Sequence, residues 1–467
     1  MKMWSGRFRQ PLDPEFERWQ RSFDFDRRLL KHELAASSAH ARALKGVALL
    51  SSDELITILQ GLDKIGELAS ESAEFLNDSE AEDVHHFVEK QLVALVGETG
   101  YKLHSGRSRN EQIATDLRLY VRAAIDQHCS DLSDLARAFV AQAESAGAAT
   151  MPAYTHLQRA EPILVAHWLL AYVEMLLRDA DRLADCRERV NVSPLGSGAV
   201  AGATLPLDRH AMASDLGFDA PTANSIDATS DRDFALEYVN ALSLLALHLS
   251  RWAEEMILFS SQEFGFIQLP EAFSTGSSAM PQKKNPDLLE LTRGKAARVV
   301  GKATVLVVAM KGVTLAYNKD LQETQLPIFE AAETIVALLP LVTAFMREVK
   351  LDFETMQQAA DSGFMNAWAA ATYLAQRGVP FRLAHEHIGK AVQLCFELGC
   401  ELKDLSLEQL RSIDPAFDQD FYQCLNLDSV LAIHDVPGGT APARVRQAIA
   451  AAKQRIESLL EAAHAHA

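Results

Sequence analysis

Asp233-Phe-Ala-Leu-Glu-Tyr-Val-Asn-Ala-Leu-Ser-Leu-Leu-Ala-Leu-His-Leu-Ser-Arg-Trp-Ala-Glu-Glu-Met-Ile-Leu-Phe-Ser-Ser-Gln262 is the stretch that decides the fold. Its apolar positions Tyr238, Leu242, Leu245, Leu249, Trp252, Met256 and Phe259 fall at alternating intervals of four and three. That spacing keeps one face of a helix apolar over about three heptads, so it predicts a long helix with a packing seam. The other face carries Ser243, Arg251, Glu254 and Glu255. Outward from it, Glu111 to about Val349 reads as long amphipathic helices, whereas Asp53 to Val96 alternates short helical stretches with polar joints. After about Leu351 the helices shorten and the loops lengthen, as in a separate C-terminal domain. The helix expected after Pro286 has Leu288, Leu291, Val299, Val300, Leu306 and Val308 around it, with Gly294 and Gly301 inside. Glycine weakens a helix, and close approach of a neighbouring helix would explain it, so burial on most sides is expected. Strand signals are scarce. The reading is an all-α chain of bundled helices whose surplus apolar surface points to an oligomer.

The 467 residues are enough for roughly two to four domains. With 48% hydrophobic and 23% charged residues the composition is that of a soluble globular protein. A net charge of −18 argues against non-specific nucleic-acid binding and against an anionic membrane surface. Met1–Phe8 lacks the apolar core of a signal peptide, and no run is expected to reach the length of a membrane span. Five cysteines (Cys129, Cys186, Cys395, Cys400 and Cys424) show no paired or metal-binding spacing. Reduced core thiols in a cytoplasmic protein are the simplest account.

Chemistry concentrates in Ser274-Thr-Gly-Ser-Ser-Ala-Met-Pro-Gln-Lys-Lys-Asn-Pro286. Hydroxyls, a glycine, two lysines and an amide are packed there without a core position. Asn285-Pro286-Asp287 reads as a helix start, with Asn at the cap, Pro at the first helical position and an acid in the first turn. Free N–H groups at a helix start favour an anion, and Lys283 and Lys284 add charge. The expectation is a mobile loop that closes over a small carboxylate.

Three other segments carry suitable groups. Leu103-His-Ser-Gly-Arg-Ser-Arg-Asn-Glu-Gln112 places Arg107, Arg109 and Asn110 around a glycine turn before a long helix, where guanidinium forks can meet carboxylates. Tyr154-Thr-His-Leu-Gln158 lies between Pro152 and a helix expected near Pro162, and His156 there can act as acid or base, or be structural. Ala316-Tyr-Asn-Lys-Asp-Leu-Gln322 offers a phenol, amides and a cation. Pro194–Gly202 is glycine-rich but lacks G-x-G-x-x-G spacing, and His385-Glu-His387 lacks H-E-x-x-H spacing, so neither a dinucleotide nor a metal is expected there.

Ser277-Ser-x-Met-Pro-x-Lys-x-Asn-Pro286 resembles the signature loop of the fumarate-forming lyases, the family of argininosuccinate lyase, adenylosuccinate lyase, aspartase and fumarase, and matches it at every fixed position. Trp4-x-Gly-Arg-Phe8, Glu82-Asp-Val-His85, Gly106-Arg-Ser-Arg-Asn110, Thr155-His-Leu-Gln158, Gly196-Ser-Gly-Ala199, Asp231-Arg-Asp-Phe234, Tyr317-Asn-Lys-Asp320 and Gly438-Gly-Thr-Ala-Pro442 follow the order of the argininosuccinate lyase branch. The resemblance implies an all-helical, three-domain subunit (1–110, 111–350 and 351–467) and a homotetramer whose active sites each draw on three subunits. It implies elimination of fumarate from argininosuccinate to leave arginine, with no metal or organic cofactor. Ser277 is implied as the base, with Lys283, Asn285 and loop N–H groups holding the doubly charged carboxylate form. His156 is implied to help protonate the leaving nitrogen, with Glu290 orienting and charging it, and to meet Ser277 only in the oligomer. Implied substrate contacts are Ser22, Asn110, Thr155, Tyr317 and Gln322, with Arg109 nearby.

One departure matters. After Glu323 the family commonly continues Asp-Lys, and that lysine contacts substrate; here Thr324 and Gln325 stand in those places. Ser5 replaces a usual glycine. Two further readings stay open on sequence: a lyase for another N-substituted aspartate, and a catalytically silent structural relative.

Overall fold

The computed structural model describes residues 10–465. The Trp4–Phe8 string and Ser5 lie outside the described residues. The principal helices, in chain order, are α1 (Leu30–Gly46), α2 (Ser52–Glu71), α3 (Val84–Val96), α4 (Arg109–Ala146), α5 (Val165–Val190), α6 (Asp233–Ser260), α7 (Asp287–Met310), α8 (Gln325–Glu348), α9 (Phe353–Ala360), α10 (Ala367–Gln376), α11 (Phe381–Leu398) and α12 (Pro442–Ala465). Shorter helical turns join them. The chain divides into two compact units, one of Met1–Gln127, Arg182–Ser243 and Arg298–Thr334, the other of His128–Asp181, Leu244–Ala297 and Ile335–Ala467. Every division point falls inside one of the long helices α4 to α8.

The α6 seam holds: all seven of its seam residues are buried. Ser243, assigned to the outer face, is buried as well and bonds the Val239 carbonyl at 2.8 Å. Glu255 is half-buried because it accepts the Trp168 indole N–H at 2.7 Å and the Tyr172 hydroxyl. The region before Val96 is more regular than expected. α2 is a 20-residue helix started by a capping box, in which Ser51 Oγ accepts from Glu54 N and Glu54 Oε2 accepts from Ser51 N.

Two expectations are corrected. α7 is buried along one stripe only, through Leu289, Thr292, Ala296, Val299, Ala303 and Leu306. Leu291, Val300, Val305, Val307 and Val308 are exposed, and a Cβ at Gly294 or Gly301 would meet nothing within 4 Å. The close neighbour inferred from those glycines is therefore not supplied among the described residues. Secondly, Lys319–Glu348 is long and apolar enough to cross a membrane by length and composition, with mean hydropathy 1.8. Its Ile328, Phe329, Ile335, Leu339, Val342, Phe345 and Met346 are fully buried, so this apolarity belongs to a protein core.

Strands are few and short. The longest pair, β1 (Thr150–Thr155) and β2 (Gln158–Leu164), forms an antiparallel ribbon with Thr155 opposite Gln158. No helix begins at Pro162; it pairs with Pro152 inside the ribbon, and α5 starts at Val165. A second pair, β3 (Thr275–Gly276) with β4 (Lys284–Asn285), is also antiparallel. The Gly438–Pro442 string locks the ribbon's exit: buried Thr440 accepts the Leu164 N–H at 2.9 Å. A Cβ on Gly439 would lie 2.1 Å from the His434 carbonyl oxygen, so only glycine fits that approach. All five cysteines are free.

Candidate active site

The β3–β4 ladder closes the base of the signature loop and leaves residues 277–283 as its excursion. Asp287 clamps the base, accepting Thr275 N at 3.0 Å and Thr275 Oγ1 at 2.7 Å, and those hydrogen bonds hold its carboxyl below the usual range. Lys284 is tied too, donating to the Leu269 carbonyl at 2.9 Å. Lys283 is exposed and its ammonium makes no hydrogen bond among the described residues. Of the two lysines, it is the one available to a ligand.

Asn285 does not cap α7. Its amide donates across the ladder to Thr275 Oγ1 (3.3 Å) and the Gly276 carbonyl (3.4 Å). The Pro286 carbonyl accepts from Leu289 N and Glu290 N, so the helix starts one residue later than expected. The cap was misplaced because strand pairing, which the sequence did not announce, takes the asparagine side chain first.

Ser277 is half-buried, and its hydroxyl oxygen accepts two backbone N–H groups, from Ala279 at 3.3 Å and Met280 at 3.1 Å. Lys283 N closes the turn on the Met280 carbonyl at 3.1 Å. Two donors aimed at one oxygen stabilise negative charge on it, the condition a serine base requires.

Thr155 and His156 stand on the β1–β2 tip. His156 and Leu157 are the two central turn residues, with φ of +55° and +57°. Left-handed conformation at both positions is that of a type I′ turn, usually Asn-Gly, and bulky residues there cost about 1–2 kcal/mol each. His156 is exposed, and among the described residues it bonds neither Glu290 nor Ser277. Glu290 is exposed in the first turn of α7.

The other predicted residues form a second group, around the start of α4. Arg107 and Arg109, read as forks for a ligand's carboxylates, are engaged by the protein's own groups. Arg109 lies 2.9 Å from Asp83 and 3.3 Å from Glu82. Arg107 donates to Ser37 Oγ at 2.8 Å and lies 3.7 Å from Glu33. Asn110 donates to the Ala199 carbonyl at 3.2 Å, and buried Glu111 accepts Ser108 N and Gly198 N, both at 3.0 Å. The glycine-rich Pro194–Gly202 segment thus serves as a loop laid against the α4 start. Ser22 is buried and donates to Asp26 at 2.6 Å. Gln322 is buried and donates to the Gln20 carbonyl at 3.0 Å. Tyr317 is half-buried; burial raises its hydroxyl pKa, and Arg232 opposes this.

Sequence reading missed Asp26, Asp83 and Arg232. Burial and the neighbouring Asp83 push the Asp26 carboxyl up to about 7. Arg232 is fully buried, its Nε and Nη2 have no hydrogen-bond partner among the described residues, and burial brings it down to about 10. Asp26 carried no signal in the sequence, and Asp83 and Arg232 were legible only as parts of motif strings. Beneath the α4 start, Glu33, His85 and Asp116 have ligand atoms within 4.8 Å of one another, a set able to hold a cation. Burial opposes a charge on His85, but Asp116 at 3.1 Å, Glu33 and Asp83 outweigh it and raise His85 to about 9. Protonated His85 and Arg107 already supply the positive charge that this pair of acids needs.

Gln325 is buried with no hydrogen-bond partner for its carbonyl oxygen among the described residues, and Thr324 is buried with its hydroxyl on the Leu321 carbonyl. Both charges of the usual Asp-Lys pair are gone together.

A lyase family profile matches residues 6–301, and an argininosuccinate lyase C-terminal profile matches residues 364–432. An argininosuccinate lyase of Koribacter versatilis is 59% identical over the whole of both chains. The chain belongs to the argininosuccinate lyase family. Another member, from Acidobacterium capsulatum, is 56% identical over 99% of this chain and 96% of its own. Among solved structures, an EDDS lyase in complex with formate superposes with a TM-score of 0.83 at 25% identity, covering 98% of this chain and 93% of that one. The all-α architecture is thus the fumarate-lyase fold, and the serine-bearing loop of this family member is the one whose hydroxyl is held by two N–H groups.

Proposed function

We infer that this chain is an argininosuccinate lyase, a carbon–nitrogen lyase that eliminates fumarate and releases arginine, and so serves arginine biosynthesis. The observation that carries the mechanism is the Ser277 oxygen held by Ala279 N and Met280 N. Ser277 takes the proton beside the substrate carboxylate. Lys283, Asn285 and the loop N–H groups bind the doubly charged carboxylate form that results. His156, charged and oriented by Glu290, protonates the departing guanidinium nitrogen, and closure of the loop excludes water.

Thr155, Asn110, Arg109, Tyr317, Ser22, Gln322 and Gln325 contribute to the substrate pocket, with the guanidinium end facing Asp26 and Asp83. A carboxyl raised by burial and by a like-charged neighbour favours a cation, and the substrate brings one. The chain's three parts, 1–110, 111–350 and 351–467, act as N-terminal, bundle and C-terminal domains. The protein works in the cytoplasm as a homotetramer with sites shared by three subunits. The exposed Leu244 and Leu247 of α6, the exposed valines of α7, and Leu326, Val336 and Leu341 of α8 support that assembly, because bundling would cover them.

The direct test is fumarate release, by ultraviolet absorbance, from argininosuccinate beside adenylosuccinate, aspartate and malate. Release from argininosuccinate alone is expected; release only from another aspartate adduct would overturn the assignment and make Gln325 the specificity determinant. A pH dependence follows from Asp26. Its carboxyl titrates near 7 in the free protein, and a bound guanidinium favours the ionised form, so binding expels a proton. KM for argininosuccinate is expected to rise about fivefold between pH 7 and pH 6, and to level above pH 8. A flat KM over that range would remove Asp26 from cation recognition.

A further inference from the structure

The β1–β2 ribbon is anchored unevenly. At its base Met151, Pro152, Pro162 and Leu164 are buried, and Thr440 holds the Leu164 N–H. Tyr154 sets its ring 5.9 Å from Phe259 and 5.6 Å from Phe264. Beyond Tyr154 the tip is bare. Thr155, His156, Leu157 and Gln158 are exposed, and among the described residues none of their side chains makes a hydrogen bond. Yet the turn holds two non-glycine residues in the left-handed region. Such a conformation persists only where the surroundings over-determine it, and a two-stranded ribbon alone is marginal.

One side chain ties the tip down. Arg159, opposite Tyr154 in the ribbon, donates from Nη1 to the Ala359 carbonyl at 3.1 Å and to Ser362 Oγ at 3.2 Å. These acceptors lie at the end of α9 and in the turn that follows. That turn is itself fixed: Gly363 and Phe364 have φ of +82° and +60°, and Gly363 N donates to Glu401 Oε1 at 3.1 Å. The tether therefore ends on a built support rather than on a loose loop.

We propose that Arg159 is the positioning residue for His156, holding the strained turn through Ala359 and Ser362 so that the imidazole meets the leaving nitrogen. The proposal rests on the reading of His156 as the acid. Misplacement of a catalytic group by about 1 Å can cost about 10²-fold in rate, so loss of the tether should appear in kcat rather than in KM. Both bonds leave the one nitrogen Nη1, which an ammonium on a shorter stem replaces only in part.

The experiment uses the full chain with Arg159→Met, Arg159→Lys, Ser362→Ala and His156→Gln, and reads kcat, KM, the pH profile of kcat, oligomeric state and melting temperature. Arg159→Met is expected to lower kcat about 30- to 100-fold with KM within about threefold. The limb of the pH profile that His156→Gln abolishes should move, and Arg159→Lys should recover part of the rate. Ser362→Ala, which leaves the ribbon's core untouched, should lower kcat about threefold without a change in melting temperature. Adding Arg159→Met to His156→Gln should cost nothing further, because one residue acts through the other. A kcat within about twofold of the parent in both Arg159→Met and Ser362→Ala would overturn the proposal. So would a raised KM at unchanged kcat, which would make Arg159 a substrate contact. Normal turnover by His156→Gln would instead sink the acid assignment itself.

Discussion

Ser277→Ala is expected to lose at least about 10³-fold in turnover while the protein assembles and binds substrate as before. The hydroxyl oxygen sits under two backbone donors, and Lys283, whose ammonium makes no hydrogen bond among the described residues, follows in the same loop. Removing the oxygen deletes the proton acceptor and nothing that the fold depends on. Ala279 and Met280 are exposed, so their N–H groups pass to water instead of being left buried and unpaired. Steady-state rates, together with binding of unreacted argininosuccinate measured by calorimetry, check both halves. Activity within about tenfold of the parent would take Ser277 out of the mechanism and leave the two-donor turn as an ordinary serine turn.

Glu33→Ala is expected to destabilise the protein by about 3–5 kcal/mol, the largest stability effect of any single change considered. Glu33 is buried and serves four groups: Ser37 Oγ at 2.6 Å, Gln112 Nε2 at 3.0 Å, and His85 and Arg107 each at 3.7 Å. Its removal leaves the buried Ser37 and Gln112 donors without their acceptor, takes the facing carboxylate from Arg107 and leaves His85 to Asp116 and Asp83, and the cost comes from those unmatched groups more than from the lost attraction. Urea unfolding, followed by far-ultraviolet dichroism, gives the change. A loss below about 1 kcal/mol would mean that water reaches the network and screens it. Because this network lies beneath the Arg107–Asn110 segment, partial loss of substrate affinity in the folded fraction is expected as well.

The two changes differ in what made them visible. Ser277 was legible in the chain alone, because hydroxyls, glycine, lysines and an amide clustered in one short segment. The Glu33–His85–Asp116 network was not: its members come from α1, α3 and α4, and nothing local to any of them marks it. The same division runs through the rest of the molecule. The four-three spacing over Tyr238–Phe259 sufficed for α6, since a helix face is set by intervals within one segment. His156 was recognised as a candidate, yet its place on a strained ribbon tip was not, because Pro162 read as a helix start and only its pairing with Pro152 makes a ribbon.

The sequence by itself therefore determined the helical class, the long seamed helices, the serine loop and, through its strings of residues, the family. Those features depend on residue type and on short spacing, which the linear order preserves. The tertiary structure alone decided which charged groups are spent within the protein. It put Arg107 and Arg109 on Glu33, Glu82 and Asp83, sent the Asn285 amide across β3–β4 and buried Thr324 with Gln325. It also left an apolar face of α7 uncovered. Burial and charge pairing depend on distances between segments far apart in the chain, and a side chain's chemistry is set by whichever of those neighbours reaches it first.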